Sequence, residues 1–115
     1  MWRADRRARI YLAIGVTDMR KQMNGLSMLV HNQLSGYLLS GDLFVFCNRK
    51  RNLVKALYWE KTGFCMWQKR LEKERFKWPG CEEEMLEIGW QEWGWLLEGL
   101  DIRQAHQKLE YSTVL

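Results

Sequence analysis

Three consecutive cations, Arg49, Lys50 and Arg51, interrupt an otherwise apolar stretch, and Lys69, Arg70, Lys73, Arg75 and Lys77 follow a little further on. Lysine and arginine in such number make and break no bonds; they neutralise anions, and the phosphate backbone is the commonest anionic partner of a basic protein surface. Arg20 and Lys21 join the set for a different reason. They follow Thr17 and Asp18, either of which can cap a helix N-terminus. Cations in a first helical turn oppose the helix dipole, and a bound phosphate would reverse that penalty. Arg49, Lys50 and Arg51 rank first among these ten candidates. A turn held between two strands loses less chain entropy on binding than the loose Arg3, Arg6, Arg7 and Arg9 arm would.

Bond-making chemistry has no comparable constellation. A DNA-cutting centre gathers several carboxylates around metal ions. Here Asp5 and Asp101 lie near the two ends, Asp42 lies in a turn, and Asp18 has no acidic neighbour in sequence. Glu82, Glu83 and Glu84 are consecutive, so on a strand their side chains diverge; they read as a solvated acidic turn. His31 and His106 have no ligand-type residue nearby. Cys47, Cys65 and Cys81 are an odd count at wide spacing, with no Cys-x-x-Cys pair, which argues against zinc. Phosphate-binding glycine loops and nucleophile elbows are also missing. The expectation is a protein that is not an enzyme, with no catalytic residue, metal or cofactor.

Charge is distributed unevenly. Residues 1–79 carry 16 Lys and Arg against 6 Asp and Glu, whereas residues 80–115 carry 2 against 8. The formal net charge of +4 hides this split. A basic body followed by an acidic stretch fits an anionic partner such as DNA; the bland alternative is a solvated surface whose two signs pair with each other. No apolar run approaches the ~20 residues of a membrane span. No secretory leader pattern follows the first basic residues. A reduced, cytoplasmic setting and no membrane partner are expected.

The elements that must position these cations are legible from periodicity. Leu43–Cys47, Leu53–Trp59 and Phe64–Trp67 are short runs rich in Val, Phe, Tyr, Trp and Leu, which suit strands. The gaps between them are too short for a parallel crossover, so they pair antiparallel, and Gly63 suits a tight hairpin turn. Along the Leu53–Trp59 run, Leu53, Lys55, Leu57 and Trp59 share one face, while Val54, Ala56 and Tyr58 share the other. Both faces of the sheet should therefore be at least partly covered. Ile10–Val16 reads as a first strand. Met19, Met23, Leu26, Val30 and Leu34 recur at helical spacing, predicting a helix over about 18–34 that ends at Ser35-Gly36. Phe76 and Trp78 flank Lys77 and suggest a further strand stopped by Pro79-Gly80, with Lys69–Arg75 as a long hairpin tip. Met85–Ile88 reads as a small strand. Trp93, Leu96, Leu97 and Leu100 predict an amphipathic helix over about 90–98, closed by Gly99. Trp90 and Trp95 fall off that stripe. They either cover the rim of the core or form an exposed patch, which would favour a homodimer.

These elements give an α+β fold: an antiparallel sheet of about four to six strands with one N-terminal and one C-terminal helix packed on it. One domain spans 1–115, with a basic arm at 1–8, a globular body at 9–102 and a tail at 103–115.

The stretch LFVFCNRKRNLVKALYWEKTGFCMWQKRLEKERFKWP at 43–79, with VTDMRK at 16–21 and WLLEGLDI at 95–102, resembles the TnpB accessory proteins of insertion-sequence family sixty-six. These are distinct from the RNA-guided nuclease of the same name. Gln22-Met23, Gln68 and Glu74 depart from the residues more usual there, and Glu74 adds an acid to the basic segment. The resemblance implies a non-catalytic accessory role in transposing a DNA element beside a separate, larger transposase. It brings no established catalytic residues. Two functional readings follow: a factor that binds DNA through its basic sheet-loop surface, assembles with the transposase, or does both, and, as the alternative, an adaptor that grips the transposase and never contacts DNA.

Overall fold

The computed structural model describes residues 7–14, 25–28, 30, 40–80 and 85–102. Among the described residues five strands form one sheet: β1 (Ile10–Ala13), β2 (Leu43–Cys47), β3 (Leu53–Glu60), β4 (Gly63–Arg70) and β5 (Met85–Ile88). Their spatial order is β4-β3-β2-β1-β5. β2, β3 and β4 form an antiparallel meander, with Val45 opposite Ala56 and Leu57 opposite Met66. β5 returns to pair antiparallel with β1, placing Met85 opposite Ala13.

One pair departs from the antiparallel expectation. β1 and β2 run parallel, with Ile10 opposite Leu43 and Leu12 opposite Val45. Short gaps force antiparallel pairing only for the later strands. The connection from Ala13 to Leu43 is long enough for a crossover, which a parallel pair requires. The sheet is therefore mixed and mostly antiparallel within the expected α+β class.

Every residue of β2 is buried. That explains its unbroken apolar sequence: a central strand covered on both faces has no solvent side to mark with polar residues. One face carries Ile10, Leu12, Leu43, Val45, Cys47, Val54 and Ala56, covered by Phe76, Trp93, Leu96 and Ile102. The opposite face carries Ala13, Phe44, Phe46 and Leu57, covered by Leu26 and Val30. Residues 25–28 and 30 are helical, in agreement with the predicted N-terminal helix where it is described. The two predicted helices thus cover opposite faces.

The second helix spans Trp90–Leu97 and buries Trp93 and Leu96. Gly89 precedes it, and the Glu92 carboxylate reaches back to accept from the Gly89 amide at 3.0 Å, satisfying a donor the helix cannot. Leu100, counted in the apolar stripe, lies past the helix end and is 45% exposed. Trp90 and Trp95 pack against the core, and the Trp90 indole donates to the Ala8 carbonyl at 3.0 Å. They cover the rim, and the expectation of a homodimer gains nothing from them.

Phe76 and Trp78 do not form a strand. Residues 71–80 are irregular and run along one end of the sheet. Phe76 is buried, and the Trp78 indole donates to the Ala13 carbonyl at 3.0 Å. Their alternation with exposed Lys77 comes from anchoring to the core, which imitates a strand pattern without a ladder.

Candidate nucleic-acid interface

The turn between β2 and β3 is closed by the amide side chain of Asn48. Its Oδ1 accepts from the Asn52 amide at 3.0 Å and the Leu53 amide at 3.1 Å, and its Nδ2 donates to Asn52 Oδ1 at 2.7 Å. The backbone adds Asn48 N to Leu53 O and Arg51 N to Asn48 O, both at 3.1 Å. Asparagine does this well because its short side chain mimics the backbone acceptor that a turn lacks. Arg49 and Lys50 sit at the tip of this braced loop, and both are exposed.

Arg51 behaves differently from its two neighbours. Its backbone is left-handed, with φ 60°, which is uncommon for a residue with a side chain. The residue is half-buried, and Nη1 is fully enclosed without a hydrogen-bond partner. The guanidinium lies beside the buried Cys47 thiol. Burial pushes that thiol's pKa up, and the Arg51 charge pulls it partly back down.

The second basic segment is tied to the first. As the chain leaves β4, the Leu71 amide donates to the Asn52 carbonyl at 2.9 Å, and the Phe76 amide donates to the Arg51 carbonyl at 2.7 Å. The segment thus passes from β4, across the β2–β3 turn, to β1 at Ala13. Arg70, Lys73, Arg75 and Lys77 are exposed along this path. With Arg49 and Lys50 they place six exposed cations at one end of the sheet. Exposed Glu72 and Glu74 lie among them and reduce the local positive charge.

Lys69, also a predicted contact, reaches a helix end. Its ammonium donates to the Leu97 carbonyl at 2.9 Å and caps the C-terminus of the Trp90–Leu97 helix. The last turn of that helix has no basic residue of its own, so the cation that complements its dipole comes from β4. Arg20 and Lys21 lie outside the described residues, as do His31, Cys81, the Glu82–Glu84 run, the first six residues of the basic arm and the 103–115 tail.

Asp42 has structural work at the other end of the sheet: its carboxylate accepts from the Arg9 amide at 2.9 Å. Near the β3–β4 hairpin, Cys65 Sγ donates to Glu60 Oε2 at 3.5 Å. Among the described residues, no group of three His, Cys, Asp or Glu side chains is placed to hold a metal ion. None of the described helices is long and apolar enough to cross a membrane. Sequence reasoning missed Asn48 and Asn52, which brace the basic turn. The available signal was the pair of asparagines bracketing Arg49–Arg51, since asparagine favours turns.

The family model for IS66 Orf2-like proteins matches residues 8–107. The chain belongs to the IS66 Orf2-like family. It is 35% identical over 99 residues to the uncharacterized protein y4hO of Sinorhizobium fredii (strain NBRC 101917 / NGR234), covering 86% of each chain. It is 32% identical over 100 residues to y4jC, a second uncharacterized protein of that strain, covering 87% of this chain and 86% of the relative. No solved structure matches the sequence. Membership of the IS66 Orf2-like family carries an accessory role associated with an insertion sequence.

Proposed function

We propose that this IS66 Orf2-like protein is a non-catalytic accessory factor in transposition that binds DNA through the basic end of its sheet and works beside the element's transposase. One observation carries the reading. The bonds from Leu71 to Asn52 and from Phe76 to Arg51 gather two basic segments, separate in sequence, at one end of the fold. Arg49, Lys50, Arg70, Lys73, Arg75 and Lys77 are exposed there. Cations that converge on a pre-formed surface lose less entropy on meeting a phosphate backbone than cations on a loose arm.

The test is a titration against element-end DNA and scrambled DNA, with and without the transposase, across a range of salt. Each phosphate neutralised contributes about −0.9 to the slope of log affinity against log salt. Mutating Arg49, Lys50 and Arg51 together to Ala weakens binding and makes the slope shallower by roughly 2–3, according to how many of the three touch phosphate. Unchanged affinity and slope would overturn DNA contact at this turn. A wild-type protein that binds the transposase but no DNA would establish the adaptor reading instead.

A further inference from the structure

Resting on the DNA-binding reading above, we propose that Arg49 and Lys50 contact phosphate in the β2–β3 turn, while Asn48 and Arg51 are positioning residues that hold those two cations in place. The run Arg49-Lys50-Arg51 is uniform in charge, yet the fold divides it. Arg49 and Lys50 are exposed at the tip. Arg51 is half-buried, with Nη1 enclosed and its carbonyl engaged by the Phe76 amide. A guanidinium with Nη1 enclosed cannot turn both of its terminal nitrogens to a phosphate without leaving its place. The Arg51 side chain, with Nη1 enclosed and the guanidinium beside the Cys47 thiol at the end of β2, pins the left-handed corner of the turn to the core.

Asn48 acts from the other side of the turn. Three side-chain hydrogen bonds, at 2.7, 3.0 and 3.1 Å, hold Asn52 and Leu53 and so close the loop. Without them Arg49 and Lys50 would still be present and still charged, but they would have to be ordered when DNA binds. Ordering rotamer-rich side chains and a loop on binding lowers affinity. The number of phosphates neutralised would not change. Contact and positioning therefore leave different marks: a lost contact changes the salt slope, whereas lost positioning lowers affinity equally at every salt concentration.

The experiment compares Asn48→Ala, Arg51→Gly and the double variant Arg49→Ala/Lys50→Ala with wild type, using a mixed-sequence DNA duplex over a range of salt, well below each variant's melting temperature. Glycine is chosen at 51 because it accepts positive φ and isolates the loss of the side chain. The double variant makes the slope shallower by about 1.8. Asn48→Ala and Arg51→Gly each weaken binding roughly tenfold with the wild-type slope. A slope shallower by about 0.9 in Arg51→Gly would make Arg51 a phosphate contact and overturn the division. Wild-type affinity in folded Asn48→Ala would likewise overturn it. Should Asn48→Ala fail to fold, Arg51→Gly decides alone. Failure of the wild-type protein to bind DNA is a separate result that removes the underlying function.

Discussion

The ammonium of Lys69 donates to the carbonyl of Leu97 at 2.9 Å, joining edge strand β4 to the end of a helix 28 residues further along the chain. One cation thereby satisfies a carbonyl the helix leaves open and complements the negative end of its dipole. Lys69→Met keeps the stem and removes the donor. It should lower stability by about 1 kcal/mol, read as a shifted urea midpoint with an unchanged denaturant slope. If Lys69 serves only the helix, the salt dependence of DNA binding stays at the wild-type value.

Arg75 and Lys77 lie on the far part of the basic ridge, each next to buried Phe76. Changing both to Ala should make the salt slope of DNA binding shallower by up to about 1.8, with thermal stability within about 0.5 kcal/mol of wild type. Isothermal titration at several salt concentrations, beside a thermal melt, measures both. An unchanged slope would exclude Arg75 and Lys77 from the interface.

Gly99 follows the Trp90–Leu97 helix with φ 86°, and a methyl added there would lie 3.2 Å from Glu74 Oε2. Gly99→Ala should destabilise the fold by about 1–2 kcal/mol, through the positive φ and the displaced carboxylate. Gly99→Asn should cost less, because asparagine tolerates the left-handed region better. Chemical denaturation of the two variants side by side gives the ranking.

Burial raises the pKa of the Cys47 thiol in the folded chain above its ordinary value. The unfolded chain then loses this proton first, from about pH 8.5 upward. Between the unfolded and folded values the unfolded state binds fewer protons, so this term lowers stability as pH rises. Below about pH 8.5 both states are protonated and the term vanishes. Urea midpoints on either side of that pH should fall for wild type, and Cys47→Ala should flatten the fall while destabilising the protein at every pH. The thiol should react with a disulfide reagent only after unfolding.

Trp78 spans from the basic segment to β1, donating its indole N–H to the Ala13 carbonyl at 3.0 Å. Trp78→Phe retains much of the apolar contact and removes this donor. A loss of about 1 kcal/mol is expected, together with faster hydrogen exchange at the Phe76 amide as the segment loosens. Normal protection at Phe76 would show that its bond to Arg51 holds the segment unaided.

The sequence by itself determined the local elements and the charge. Alternation in Leu53–Trp59, the glycine of the β3–β4 turn and the Trp93–Leu96 spacing are local patterns, and side-chain periodicity requires only the neighbouring residues to be read. The clustering of cations in residues 43–79 is likewise written in the chain. Tertiary structure decided where each cation sits. Arg49 and Arg51 are the same residue type two positions apart, yet one is exposed and the other has an enclosed nitrogen, because a left-handed corner turns the second inward. Lys69 and Arg70 are adjacent, but strand alternation sends Lys69 to the face covered by the Trp90–Leu97 helix and Arg70 to the opposite one. The parallel β1–β2 pair was out of reach for the same reason: it depends on where a long connection returns, and short-gap arguments govern only strands joined by tight turns. Phe76–Trp78 imitates a strand in sequence because anchoring of two alternate aromatics is common to a strand and to an irregular segment pinned on a core. Only the hydrogen bonds to Arg51 and Ala13 distinguish the two, and those partners lie far away in the chain.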